Sequence, residues 1–173
     1  MRKFIACSLI LICCMATETS SLGIELEVFF SPRGGCTAAI VNQISNAKKS
    51  VLVQAYGFSS QPIAAALIEA KKKGVEVSII VDRSNKTAKY SKADEAKHGG
   101  CNVWVDQVHA IAHNKVIIID QSITITGSFN FSDNAENNNA ENLLIIHDTV
   151  TAEKYLANWQ AHLKHSTQYI KKP

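Results

Sequence analysis

The sequence is short of proline, glycine, net charge and long hydrophobic runs, and each shortage excludes something. With 3 Pro and 8 Gly in 173 residues, collagen and proline-rich disordered chains are excluded. Apolar residues make up 46% and charged residues 19%, a globular mix that also argues against a coiled coil. No apolar stretch reaches the roughly 20 residues a membrane-spanning helix needs. The longest, 4–15, follows Arg2 and Lys3 and ends near Cys14 and Ala16, small residues at the minus-three and minus-one places. That order of positive, apolar and small residues predicts a secretory signal over 1–16, not a buried helix. The expected location is therefore periplasmic or secreted. Lipid attachment at Cys14 is not expected, because Cys13 before it is a poor fit to the small residue usual there.

The net charge of +3 falls to +1 once Arg2 and Lys3 are removed, so no overall basic field advertises nucleic acid. Only Cys36 and Cys101 lie outside the signal, and neither has a partner two to four residues away, which excludes a zinc ribbon. An even pair in an oxidising compartment invites a disulfide. The pattern below puts the two at opposite ends of a sheet, so unpaired thiols are expected.

A polar lead-in, 17–23, precedes a single domain over 24–173. Ile24, Leu26, Val28 and Phe30 have strand spacing. A helix over 37–49 places Ile40, Val41, Ile44 and Ala47 on one face. VLVQAY (51–56) reads as a strand, and 61–73 as a helix with Pro62 in its first turn and Gly74 as its stop. VEVSIIVD (75–82) is the next strand. This alternation predicts three parallel neighbours joined by right-handed crossovers. Beyond a basic loop-and-helix segment, 83–98, come strands at 102–106, 113–120, 122–128 and 142–147, then a helix over 151–165. The strands 113–120 and 122–128 are joined by a tight turn at Asp120–Gln121–Ser122. The fold class is α/β, a mixed β-sheet flanked by helices on both faces.

His113 and Lys115 leave one face of their strand, and Asp120 closes it. Ser128 and Asn130, after Gly127, share a face on the next strand, and a hairpin brings the two pairs together. An imidazole, an ammonium, a hydroxyl and an amide then converge, a set suited to a phosphodiester. Lysine neutralises the non-bridging oxygens, the hydroxyl and amide donate to them, and glycine admits backbone close to the phosphate. The imidazole can attack phosphorus or protonate a leaving oxygen near neutral pH.

HNKVIIID followed by GSFN resembles the HxK(x)4D(x)6GSxN signature of the phospholipase D superfamily, in particular its short secreted bacterial members with a single copy. Chance would produce this pattern in roughly one chain of this length in several hundred thousand. QAYGF, VDRSN and NAENLLII resemble those members too. The resemblance implies a phospholipase D-like fold and a metal-independent, two-step phosphodiesterase reaction. His113 matches the nucleophile that forms a phosphohistidine. Lys115, Ser128 and Asn130 match the phosphate-binding positions, with Gly127 beside them. Glu141 matches a carboxylate that hydrogen-bonds and orients the imidazole, and Asp120 the motif's acid, which in the family lies back from the phosphate in a supporting role; a turn and strand-end carboxylate is its alternative reading. The complete signature occurs once, whereas larger members carry two, so a homodimer with the site on its two-fold axis is expected.

No cofactor or metal is expected. His109 and His113 have a helical zinc spacing, but their surroundings read as strand and no third ligand is near. His162 and His165 read as cations favouring a helix C-terminus. Arg83, Lys86 and Lys89, with Lys92 and Lys97, follow the third strand and should border the site, since ligands gather at the carboxyl ends of strands. Such a groove suits either a nucleic-acid backbone or an anionic membrane surface. The expected activity is hydrolysis of a phospholipid head group, with a non-specific endonuclease as the alternative. A non-catalytic phosphate-surface binding protein is a third reading, which the intact motif disfavours.

Overall fold

The computed structural model describes residues 23–170. The expected signal segment and nearly all of the polar lead-in lie outside the described residues. Eight strands form one mixed sheet in the order β1-β7-β6-β5-β2-β3-β4-β8. The strands are β1 (Glu25–Ser31), β2 (Ser50–Ala55), β3 (Glu76–Asp82), β4 (Asn102–Asp106), β5 (Lys115–Ile119), β6 (Ile123–Gly127), β7 (Glu141–His147) and β8 (Thr167–Gln168). β2, β3 and β4 are parallel, and the other pairings are antiparallel.

Continuous apolar runs mark the strands buried on both faces. β5 (KVIII) is buried at every position, between β2 and β6. One parity of the central strands, including Val53, Ile79, Val105 and Ile117, packs into the main core. That core is roofed by α1 (Cys36–Asn46), α2 (Gln61–Lys72) and α3 (Ala93–His98). The other parity, including Leu52, Ile80, Val116 and Ile118, meets α5 (Thr149–His165) through Ala152, Tyr155, Leu156 and Trp159. Trp159 Nε1 donates to the Val53 carbonyl at 3.0 Å, so the buried indole stays satisfied. Helices therefore cover both faces, as the sequence pattern predicts.

The position of β1 differs from expectation. It does not neighbour β2 but lies at the far edge, antiparallel to β7, with Phe29 opposite Leu143. Its apolar alternation is also turned outward: Ile24, Leu26, Val28 and Phe30 are 52–64% exposed. α5 makes its main contacts on the second face with β2, β4, β5 and β6, and the outward face of β1 stays exposed.

Two small elements escape the sequence reading: β8 and α4 (Asp133–Asn137), which is capped by Ser132 Oγ accepting from Ala135 N. Glu136 of α4 in turn accepts from Gly35 N and Thr37 N, at 3.1 and 2.7 Å, which satisfies orphan donors at the start of α1. Cys36 and Cys101 are free and buried, and burial, chiefly, raises both thiols to about 11.

Candidate active site

The β5–β6 hairpin builds the site. Asp120 and Gln121 occupy its turn at φ 52° and 57°, the paired left-handed geometry of a two-residue type I′ connection. This turn pins the register that sets Val116 opposite Thr126, so the far ends of both strands open beside each other. His113 lies just before β5. Its loop is held by Ala112 N donating to Asp82 Oδ2 at 2.8 Å and by Tyr56 N donating to the Asn114 carbonyl at 3.0 Å. The His113 ring is exposed and rests 4.5 Å from the Tyr56 ring, tilted by 54°. Among the described residues its ring nitrogens make no hydrogen bond, which leaves a lone pair for an incoming substrate.

Lys115 is buried, and its Nζ donates to the His113 carbonyl at 2.7 Å. An ammonium carries three donors, so two remain for a ligand. Burial lowers the Lys115 pKa and the Glu141 carboxylate partly restores it, which places the two charges within electrostatic reach.

Gly127 ends β6 at φ 147°, and a Cβ there would stand 2.3 Å from the Asn142 carbonyl oxygen. Only glycine permits that approach, and the Asn142 carbonyl accepts from both Ser128 N and Phe129 N at 3.2 and 3.3 Å. Ser128 Oγ accepts from Asn142 N at 3.1 Å, so its own proton stays available. Phe129 and Phe131 are fully buried and anchor the segment on either side of Asn130. The Asn130 side chain packs under Gly57, where an added Cβ would lie 3.2 Å from Oδ1. Its Nδ2 makes no hydrogen bond among the described residues. Asn130 Oδ1 is buried without a partner.

His113, Lys115, Gly127, Ser128, Asn130 and Glu141 thus line one open cleft of about 490 Å³. Two sequence expectations need correction here. Glu141 does not bond His113 within the chain. Its Oε1 accepts from Asn139 Nδ2 at 2.9 Å, and its backbone N–H donates to Ser31 Oγ. Asp120 is not in the cleft at all. It sits at the opposite end of β5, about 16 Å away at strand rise. Its carboxylate accepts from the backbone N–H groups of Lys48, Lys49 and Ser50 at 2.8, 2.7 and 2.9 Å. Burial would raise its pKa, but these bonds outweigh burial and lower it. Asp120 clasps the α1–β2 loop.

Arg83, Lys86 and Lys89, expected to border the site, do not line the His113 cleft. Arg83 and Lys86 line a neighbouring cleft with Tyr56, and Arg83 Nη2 donates to the Ala110 carbonyl at 2.9 Å. Lys89 lies farther round, beside Tyr90 and Ser91. The expectation of no metal cluster also needs correction. Asp106, His109, His162 and His165 come together away from the cleft. Asp106 and His162 are 56 residues apart in sequence, which hides the group from spacing rules. His162 and Lys164 repeat the H-x-K spacing, but the fold turns His162 onto Asp106.

The chain matches the family model "Cardiolipin synthase, PLD-like domain" over residues 40–163. It is 52% identical over 135 residues to a phospholipase D of Rickettsia felis, covering 78% of this chain and 68% of that protein. It is 32% identical over 113 residues to the mitochondrial cardiolipin hydrolase of Xenopus laevis, covering 65% of this chain and 54% of that one. Among solved structures, a phospholipase D family member, Nuc from Salmonella typhimurium, superimposes with a TM-score of 0.81 at 35% identity. That match covers 85% of this chain and 99% of Nuc.

Proposed function

The chain belongs to the phospholipase D superfamily, and from that premise we propose that it is an exported phosphodiesterase that hydrolyses phospholipid head groups through a phosphohistidine. One observation carries this reading: His113, Lys115, Ser128, Asn130 and Glu141 converge on a single cleft. His113 attacks phosphorus with an unbonded ring nitrogen and displaces the leaving oxygen, which takes a proton from a second group. Water then attacks the phosphohistidine and releases His113. Lys115 and the Ser128 and Asn130 donors hold the non-bridging oxygens as charge builds on them. Lys115 supplies the positive charge, so the chemistry asks for no metal in the cleft.

The second proton carrier is His113 of another copy. A homodimer is supported by the outward stripe of Ile24, Leu26, Val28 and Phe30, an apolar face that α5 leaves bare. Phe30 lies opposite Asn142, beside Ser128, so the stripe leads to the cleft. A second copy seated there brings two clefts together.

A nucleic-acid substrate is the second reading, favoured by the cleft holding Arg83 and Lys86 beside Tyr56, which offers a backbone track next to the reacting centre. The same basic rim suits peripheral contact with an anionic membrane. Incubating the protein with fluorescent phosphatidylcholine and, separately, with plasmid DNA decides between them. The lipid is expected to lose its head group, and His113→Ala is expected to abolish turnover while binding persists. DNA cleavage alone would select the second reading. Turnover unaffected by His113→Ala would overturn both.

A further inference from the structure

We propose that Asp106, His109, His162 and His165 bind one zinc ion that pins the loop carrying His113 to α5. Asp106 ends β4, His109 follows three residues later, and His162 and His165 lie one turn apart at the end of α5. Three imidazole nitrogens converge on one carboxylate oxygen. Asp106 Oδ2 is 2.8 Å from His162 Nδ1, 2.9 Å from His109 Nδ1 and 3.3 Å from His165 Nε2. All four ligand atoms lie within 4.8 Å of one another.

Zinc bonds of about 2.0–2.2 Å in a tetrahedron set ligand atoms about 3.3–3.5 Å apart. The oxygen-to-nitrogen spacings are close to that already. The nitrogen-to-nitrogen spacings need to close by about 1.4 Å at most, within reach of side-chain rotation at partly exposed His109 and His165. Asp106 itself is fully buried, and its other oxygen accepts from Val108 N and His109 N at 3.1 and 3.4 Å. Those bonds fix the carboxylate with Oδ2 facing the three rings, the outer support that metal ligands usually have.

The donor set selects the metal. Three imidazoles and one carboxylate suit zinc, whereas calcium and magnesium take oxygen shells. Four protein ligands close the coordination sphere, which marks a structural site and not a catalytic one. None of the four residues lines the cleft around His113. The ion would instead tie residues 107–112, which lead into His113, to the helix that contributes Tyr155 to that cleft.

The test uses untagged protein stripped with a chelator and titrated with Zn²⁺ alone. Calorimetry is expected to give one ion per chain, and the melting temperature should rise by about 5–10 °C at a hundredfold excess over Kd. His109→Ala and His165→Ala should each weaken zinc binding at least tenfold and remove the thermal shift, while the stripped variants keep the wild-type circular dichroism. Should a variant fail to fold, Co²⁺ added to the stripped wild type decides alone. Intense tetrahedral absorption supports the site, and the weak spectrum of octahedral cobalt overturns it. Zinc that binds the wild type no tighter than His109→Ala, or that leaves the melting temperature unchanged, also overturns it.

Discussion

Replacing Asp120 separates a structural acid from a catalytic one. Asp120→Ala removes the acceptors of three backbone N–H bonds. Lys48 and Lys49 are exposed and regain water, so each loss costs about 0.5 kcal/mol. The Ser50 donor is less accessible, and its loss costs about 1 kcal/mol. Alanine must also hold the left-handed backbone at φ 52°, which adds about 1 kcal/mol. The sum is about 3 kcal/mol, or a fall of about 6–12 °C in melting temperature for a domain of this size. Asp120→Asn keeps one acceptor oxygen and tolerates that backbone, so about 1 kcal/mol and 2–4 °C are expected. Both variants should turn over phosphodiester within about twofold of wild type at 25 °C, because the carboxylate lies about 16 Å along β5 from Lys115. Calorimetric melting and initial rates on the same preparations check this. A hundredfold loss of kcat with an unchanged melting temperature would refute the structural assignment.

In a shared site, His113→Ala chains poison their wild-type partners, so equal mixing with subunit exchange verified by tagged chains should leave roughly a quarter of the all-wild-type activity at equal total protein. Retention of half would mean each chain completes its own site. Chelation with EDTA, assayed below the melting transition of the stripped protein, should leave turnover in place. Loss of the reaction without loss of fold, restored by one divalent metal, would contradict the role given to Lys115. Asp82 and Asp120 both have folded pKa values below their ordinary 3.8. The unfolded chain therefore binds more protons as pH falls past about 4, and stability is lost in that direction. Denaturant titrations between pH 7 and 3 should show this fall, with a shallower one in Asp120→Asn; equal slopes would contradict the sign.

The parts of the fold written in local pattern were legible. α2 shows its stripe, its early Pro62 and its stop at Gly74, and β2 and β3 show continuous apolar runs. Alternation in β1 identifies a strand but not its neighbour. The apolar parity was open to being read as the buried one until the sheet order placed β1 at an edge beyond the reach of α5. α4 (DNAEN) is short and polar, and β8 spans two residues, so neither carries a period. His113, Lys115, Ser128 and Asn130 were legible because one hairpin and the residues flanking its open end carry all four. The bonding of Glu141 was not, since Asn139 competes locally for its carboxylate. Asp120 and Asp106 find their partners 70 and 56 residues away, at distances only the folded chain reveals.

Rapid quenching during turnover of a substrate labelled at phosphorus interrogates the phosphohistidine itself. Alkaline quenching preserves phosphohistidine, and tandem mass spectrometry locates the modified residue. A covalent phosphoryl adduct on His113 is expected, formed before product and absent from His113→Ala. Product formed with no adduct on His113, together with inversion at a chiral phosphorothioate, would contradict it.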